Sequence, residues 1–374
     1  MKREIIVFGI DHYNPLGIIR SLGENGICPI FIAIKGKAPV ASTSKYISKL
    51  HMVEDYLEGC RLLLNEYSDR PKDCIPIVIT SDDEQVGYMD VHYEDYYGKF
   101  IFFNAGKPGQ ITKYMDKYNI LQLAKKHGLN TLNAVAVEKG IIPKSIEYPI
   151  ITKSIAPNIG GWKSDVHICE TEEELIEAYK AIKSPKVLIQ HYIDKKNELD
   201  LEGFSIDKGN KNFISIALSQ KYNIRGYYSP YHDVRNFRDD YLNRALSSML
   251  KEIGFEGIFE VNFLVDKNDA LYFSEINFRN STWSYASTCA GMNLPMLWIE
   301  SMMSGCISNS AYQPIEGSFT DMVEPIDYQK RVVDRGYNLE DWFRDLKAAK
   351  CKYYYNEQDP KPFITMIENN CKLR

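Results

Sequence analysis

The sequence predicts an α/β protein in which a parallel-sheet domain precedes lobes of mixed α+β character. Three observations carry that expectation. Val/Ile-rich runs alternate with helical stretches over about the first hundred residues. The pattern changes near Ile111, and strand-rich stretches with few helices follow from residue 198 onward. At 374 residues the chain also exceeds what one ordinary core serves, so roughly two to four lobes are expected.

Taken in order, "EIIVFGI" is a buried strand, "NPLGIIRSLGENG" a helix closed by Gly26, and "ICPIFIAI" a second strand. A helical stretch around 53–67 leads to two further strands, "IPIVIT" and "KFIFFN". Short apolar strands separated by helices imply a parallel sheet. The glycines of "FGIDHYNPLG" do not fit G-x-G-x-x-G, so no dinucleotide site is expected there. "ITKYMDKYNILQLAKKHGLNT" reads as one long amphipathic helix stopped by Gly128. A strand "YPIITKSI" follows, then the loop "APNIGGWKSD" with its adjacent Gly160 and Gly161, expected to act as a lid. "VHIC", the helix "TEEELIEAYKAI" and the strand "KVLIQHYI" complete this small unit. Further on stand the strands "ELDLEGFSID", "NFISIALSQKY", "FEGIFEVNFLVD" and "ALYFSEINF", with helices near 239–253 and 292–303. The tail beyond 311 is mixed, with one helix at 338–349. The expected units are therefore 1–110, 111–193, 194–310 and an extension, 311–374, packed on the core.

With 44% hydrophobic and 25% charged residues, the composition is that of a soluble globular protein. A net charge of -5 gives no basic footprint, so no nucleic-acid partner is expected. Eight cysteines form no C-x-x-C pair and read as reduced thiols. The opening "MKREIIVFGID" passes from charge straight into a strand, which reads as no signal peptide. No apolar run approaches the roughly 20 residues that span a bilayer. A cytoplasmic protein without a membrane partner is expected.

"SEINFRNSTW" places Glu275, Asn277 and Arg279 on alternate positions, which share one face of an extended chain. Taken alone, the three read most simply as a solvated edge strand. They do not stand alone. Lys117, Lys153, the glycine loop, "QHYI" (190–193) with Glu198, and the pair Glu260 and Asn262 precede them in order. Lysines offset phosphate charge and loop N–H groups can wrap phosphates. Hard oxygen ligands suit magnesium, which shares its shell with substrate phosphates. The P-loop pattern G-x-x-x-x-G-K-[ST] is absent.

This ordered set resembles the ATP-grasp ligases, through "YMDKYNILQLAKKHGL", "YPIITK", "GGWK", "VLIQHYI" and "FEVNFLVDKNDALYFSEINFR". With the α/β lead-in, the resemblance covers roughly residues 1–310. "GIDHYNPLGIIRSLGENGI" and "STSKYISK" are further similar to the D-aspartate ligase-like carboxylate–amine ligases. The resemblance implies an ATP-grasp fold preceded by a Rossmann-like parallel-sheet domain. It implies an enzyme that joins a carboxylate to an amine through an acyl phosphate, releasing ADP and phosphate, with ATP and magnesium (or manganese) as cofactors. Carried over by position, Lys117 and Lys153 would meet the nucleotide phosphates, beneath Gly160 and Gly161. Gln190, His191, Tyr192 and Ile193 would form the adenine hinge, through backbone groups at 191 and 193, and Glu198 would bind the ribose. Glu275 and Asn277 would hold the metal, Glu275 bridging two ions. Arg279, with Lys153, would be catalytic, its forked guanidinium stabilising the acyl phosphate and the adduct that follows. One departure stands out: Asn262 occupies the place of a metal ligand that is usually an acid, with Glu260 on the same face to restore charge.

The substrate lining is expected from "NSTWSY", from "KYNIRGYYSPYHDVRN" (221–236) and from "GIDHYN". Arg225, His232 and Arg235 with their tyrosine neighbours suit a carboxylate-bearing amino acid, although the middle segment also reads as a plain exposed loop. His232 is a general-base candidate, whereas His191 reads as hinge backbone. The expected partners are a small-molecule carboxylate and an amine, and a homodimer is left open. Two alternatives remain: an ATP-binding sensor or scaffold without ligase chemistry, which Asn262 keeps alive, and an ATP-grasp carboxylase using bicarbonate.

Overall fold

Three β-sheets divide the chain in the computed structural model, which describes residues 3–156, 162–225 and 228–372. The first is parallel throughout, in the order β3-β2-β1-β4, from β1 (Ile5–Ile10), β2 (Ile30–Ile34), β3 (Lys49–Val53) and β4 (Ile77–Thr80). β1, β2 and β4 are almost wholly buried, which is why they read as continuous apolar runs. "KFIFFN" forms no strand here. Ile101 makes an isolated bridge to Ile77, and Asn104 already pairs with Glu256 of the next lobe. Phe102 and Phe103 enter two different cores, so the segment passes between lobes instead of extending the sheet.

The stretch read as one long helix is two, Gln110–Met115 and Lys117–Lys126. Asp116 between them is extended, and its carboxylate accepts the Asn119 N–H at 2.9 Å, capping the second helix. The break puts Lys117 at a helix start, where its amide donates to the Ile155 carbonyl at 2.8 Å.

The second sheet is antiparallel, ordered β5-β8-β6-β7, from β5 (Ala134–Glu138), β6 (Ile150–Ser154), β7 (Ile168–Cys169) and β8 (Lys186–His191). Leu175, Ala178 and Tyr179 of the helix Glu172–Ala181 close its core. The third sheet has seven strands in the order β13-β12-β9-β10-β11-β14-β15. They are β9 (Asn197–Ile206), β10 (Lys211–Gln220), β11 (Tyr231–Asn236), β12 (Gly257–Val265), β13 (Leu271–Asn277), β14 (Phe319–Met322) and β15 (Cys351–Lys352). The tail beyond 311 thus supplies two strands of this sheet, besides the helices Leu339–Ala348 and Lys361–Lys372.

Two buried polar clusters join the first lobe to the rest. Arg20 donates from Nε to Asp359 at 3.1 Å, and from its two terminal nitrogens to the carbonyls of Tyr353, Tyr354 and Asp359 at 3.0, 2.9 and 2.9 Å. Asn14 donates to the carbonyls of Ser81 and Asn280, both at 3.0 Å, and receives the Asn280 amide at 2.8 Å. The second cluster sets the end of β4 against the segment that follows β13. Among the described residues, no helix is long and apolar enough to cross a membrane.

Candidate active site

The hairpin of β12 and β13 answers why Glu275, Asn277 and Arg279 share a face. Its register sets Glu260 opposite Asn277 and Asn262 opposite Glu275. On the other side, β9 brings Glu202 opposite Glu260, Asp200 opposite Asn262 and Glu198 opposite Leu264. Cross-strand partners point to one side of a sheet, so carboxylates and amides form a continuous polar floor. A cavity of about 820 Å³ lies over it. Its walls come from His12 to Asn14 and Ser81 to Asp83 of the first lobe, from Lys117, and from Lys153 and Gln190 to Ile193 of the second sheet.

Lys117 Nζ forms an ion pair with Glu275. That positive charge, opposed by burial, holds the Glu275 carboxyl down to about 2. Lys153 Nζ lies 3.1 Å from Gln190 Oε1. Burial, and then the neighbouring Lys117, bring its ammonium down to about 8. Glu198 is ion-paired with Lys195 and accepts from Gln220 Nε2 at 2.6 Å. At the strand end the amides of His191 and Tyr192 donate to the carbonyls of Asn133 and Pro149, both at 2.8 Å. Among the described residues the Ile193 amide has no such backbone partner, and Ile193 lines the cavity.

Glu260 accepts from Asn277 Nδ2 at 2.9 Å, and Asn262 Nδ2 donates to Asp200 at 2.5 Å. Burial raises Glu260, Asp200 and Glu202 above the usual carboxylate range, and the charge of Glu260 adds to the rise at the other two. Arg279 donates from Nε to Asp83 Oδ1 at 3.0 Å, and Nη2 lies 3.4 Å from Asn277 Oδ1. Burial opposes its charge, but Asp83, Glu260 and Asp82 outweigh that and hold it firmly protonated.

Among the described residues, no three His, Cys, Asp or Glu groups meet in a geometry that would cage a metal unaided. Magnesium needs no such cage, because it keeps water and is bound by one or two carboxylates plus phosphate oxygens. Glu260 and Glu275, with the amide oxygens of Asn262 and Asn277, fit that requirement. Crowded buried acids whose protons are hard to remove are also groups that a divalent cation would relieve.

The structure therefore gathers Lys117, Lys153, Gln190 to Ile193, Glu198, Glu260, Asn262, Glu275, Asn277 and Arg279 around one cavity. Arg225 reaches its rim, largely exposed, with its guanidinium 5.8 Å from the Tyr192 ring centre. Gly160 and Gly161, within the 157–161 stretch of the expected lid, lie outside the described residues. Two expectations are corrected. His232 is wholly buried in β11, its Nδ1 2.8 Å from Asp321, and it reaches the cavity only through the Trp283 ring packed against it. Arg235, three residues on, points to the opposite side of the sheet and donates to Ser219 at 2.7 Å. Neither lines the cavity, and the second half of the supposed loop is an inner strand.

Asp82, Asp83 and Asp200 line the site without having been singled out in the sequence, whereas His12 belongs to "GIDHYN", a stretch expected to line it. Signals for them exist. "TSDDE" directly follows a parallel strand, the carboxyl end at which open α/β sheets bind ligands. Asp200 stands two residues after Glu198 in the same strand, hence on the same face.

Comparison with known proteins points the same way. Residues 116–300 match the family model described as the carbamoyl-phosphate synthase L chain, ATP binding domain. An N5-carboxyaminoimidazole ribonucleotide synthase of Staphylococcus aureus is 27% identical over 169 residues, covering 43% of each chain. The chain thus matches less than half the length of that curated relative. Among solved structures, the L-amino acid ligase from Bacillus licheniformis is similar with a TM-score of 0.65 at 13% identity, over 87% of this chain and 81% of that one. The biotin carboxylase domain of Hydrogenobacter thermophilus 2-oxoglutarate carboxylase, in complex with MgADP, ADP and bicarbonate, is similar with a TM-score of 0.62 at 18% identity. It covers 86% of this chain and 74% of that one. At such identities the structural likeness establishes the shared fold.

Proposed function

The chain belongs to the ATP-grasp superfamily, and on that premise we propose that it is an ATP-dependent carboxylate–amine ligase acting on an amino-acid substrate. The observation that carries this reading is that Lys117 meets Glu275 and Arg279 meets Asn277, two residues further along the same polar floor, inside one cavity that Lys153 also lines. Two lysines suited to phosphate and a forked oxyanion donor thus serve the same floor.

In this reading Lys117 and Lys153 bind the nucleotide phosphates, the Ile193 amide and the hinge strand hold the base, and Glu198 holds the ribose. Incoming phosphate oxygens compete with Glu275 for Lys117 and free that carboxylate. Magnesium, when bound, screens the phosphate charge during transfer. A substrate carboxylate oxygen attacks the γ-phosphorus and the bond to ADP breaks, leaving an acyl phosphate. The amine then attacks the acyl carbon, phosphate departs and the nitrogen gives up a proton. Arg279 faces the oxygens on which negative charge gathers in both steps, where a preorganised donor counts most.

A carboxylase reading draws on the curated relative and on the biotin carboxylase neighbour. One experiment separates the readings: ADP release across a panel of amino acids, small carboxylates and bicarbonate, with mass spectrometry of the products. Amino-acid-dependent ADP and a product heavier by an amide bond are expected. ADP release on bicarbonate alone would favour the carboxylase, and ATP binding without turnover a sensor.

A further inference from the structure

The first-lobe wall of the cavity carries two adjacent acids, Asp82 and Asp83, at the start of the helix Asp83–Val91. Their surroundings differ. Asp83 is engaged by Arg279. Asp82 occupies the N-cap position, yet its side chain makes no cap hydrogen bond. An N-cap aspartate ordinarily accepts from the helix's own first amides, so this one is drawn away by something else. Its Oδ2 accepts the Ile10 amide and the Ser81 hydroxyl, both at 2.8 Å. The backbone makes room for that arrangement at Gly9, where a Cβ would overlap Ser81 Oγ and come within 2.7 Å of Asp82 Oδ2.

The other oxygen, Oδ1, is left toward the cavity. Its nearest basic neighbour is His12 Nε2 at 3.6 Å, too long for a hydrogen bond. Nδ1 of that ring accepts the Asn14 amide at 3.1 Å, so the ring proton lies on Nε2 and faces Oδ1 across that gap. What remains is a rigidly held carboxylate whose Oδ1 has lone-pair capacity to spare beside the His12 N–H, in a cavity that Lys117, Lys153 and Arg279 also line.

We propose that Asp82 Oδ1 is the anchor for a cationic amino group of the substrate, so that the site selects amino-bearing compounds and rejects those whose nitrogen is acylated. This inference rests on the ligase reading for the identity of the cavity and deepens it by naming the substrate's second pole. The ammonium sits beside Asp82 while the carboxylate lies under Arg279, which Asp83 holds one residue away. Asp82 acts here by binding and takes no proton, because its interactions with His12, Ile10 and Ser81 outweigh burial and keep it ionised.

The test compares free L-amino acids with their N-acetyl derivatives on wild-type protein and on Asp82→Asn. Two readouts are taken: ADP release, and thermal shift in the presence of a non-hydrolysable ATP analogue. Loss of a charged hydrogen bond predicts that Asp82→Asn raises the amino-acid KM by about tenfold or more. The KM for ATP should stay within about twofold, which also reports an intact fold, and the preference for free over acetylated compounds should vanish. Ser81→Ala, which removes one of the two donors holding Asp82, should shift the same preference more weakly. A preference that survives in Asp82→Asn overturns the anchor. If no compound is turned over, the ligase reading fails, and thermal shift alone decides the anchor. Stabilisation by free but not acetylated amino acids, lost in Asp82→Asn, upholds it, and equal shifts refute it.

Discussion

The Lys117 ammonium and the Glu275 carboxylate form an ion pair that joins residues 158 positions apart, from the first turn of a helix to the end of β13. In the proposed reading, each partner occupies the other where nucleotide phosphate and metal would bind. Glu275→Ala is therefore expected to lower carboxylate-dependent ADP release by about hundredfold or more, the scale on which removing one preorganised charge stabiliser acts. Glu275 lies on a cavity wall, so the urea unfolding midpoint should stay near that of the wild type. A Glu275→Ala protein with ordinary turnover would contradict the assignment.

On the proposed reading, Lys153 sets a pH limit on nucleotide binding. Its ammonium loses its proton near 8 because burial and Lys117 disfavour the charge, so the phosphate-binding form prevails below that value and disappears above it. The Kd for ATP should be flat below about pH 7.5 and then rise, by up to about tenfold per unit, above 8. Lys153→Arg should flatten the profile, since a guanidinium keeps its charge there. Calorimetry across pH 6.5 to 9.5 checks both curves, and a flat wild-type curve would contradict the phosphate role.

The chemistry of the floor was legible in the sequence because it is local in two ways. Glu275 and Asn277 obey the strand's period of two, with Arg279 two residues past the strand's end, and Glu260 and Asn262 obey it on the neighbouring strand. The first-lobe wall was not legible in that way, because Asp82 and Asp83 come from a separate lobe, which tertiary contacts such as Asn14–Asn280 and the Asn280 amide on the Thr80 carbonyl bring up to Arg279. The sequence offers both His232 and Arg235 as substrate groups, although their odd spacing forbids a common face once the segment is a strand. The long helix of the reading fails at Asp116, a residue that caps well and so starts a helix more readily than it continues one.

Trp283 is held by groups from three segments. Tyr353 donates from its hydroxyl to Asp321 at 2.7 Å and lies 3.2 Å from the Trp283 carbonyl, while Asp321 holds His232 against the indole. Tyr353→Phe leaves one oxygen of a buried carboxylate without its donor, at a cost of about 1–3 kcal/mol. Because Trp283 lines the cavity, the KM for the organic substrate should rise while that for ATP does not. Denaturation and initial rates measure the two effects, and an unchanged substrate KM would contradict a role for the C-terminal extension in shaping the cavity.

Arg20 and Asp359 form a buried pair, neither side chain more than 1% exposed. Arg20→Met should destabilise the protein by about 3 kcal/mol, the lower end for breaking such a pair, because Ser44 and the Lys45 amide still serve Asp359. Urea unfolding followed by tryptophan fluorescence reads the loss. A midpoint equal to that of the wild type would mean that the two lobes are joined by other contacts.

The central claim is that a substrate carboxylate is activated by phosphoryl transfer over the β12–β13 floor. It is tested most directly by running the reaction with an amino acid whose carboxylate oxygens are labelled with oxygen-18 and weighing the inorganic phosphate released. An acyl phosphate requires that one labelled oxygen pass from the carboxylate to each phosphate, with ADP as the nucleotide product. Unlabelled phosphate, or AMP and pyrophosphate in place of ADP and phosphate, would contradict the account.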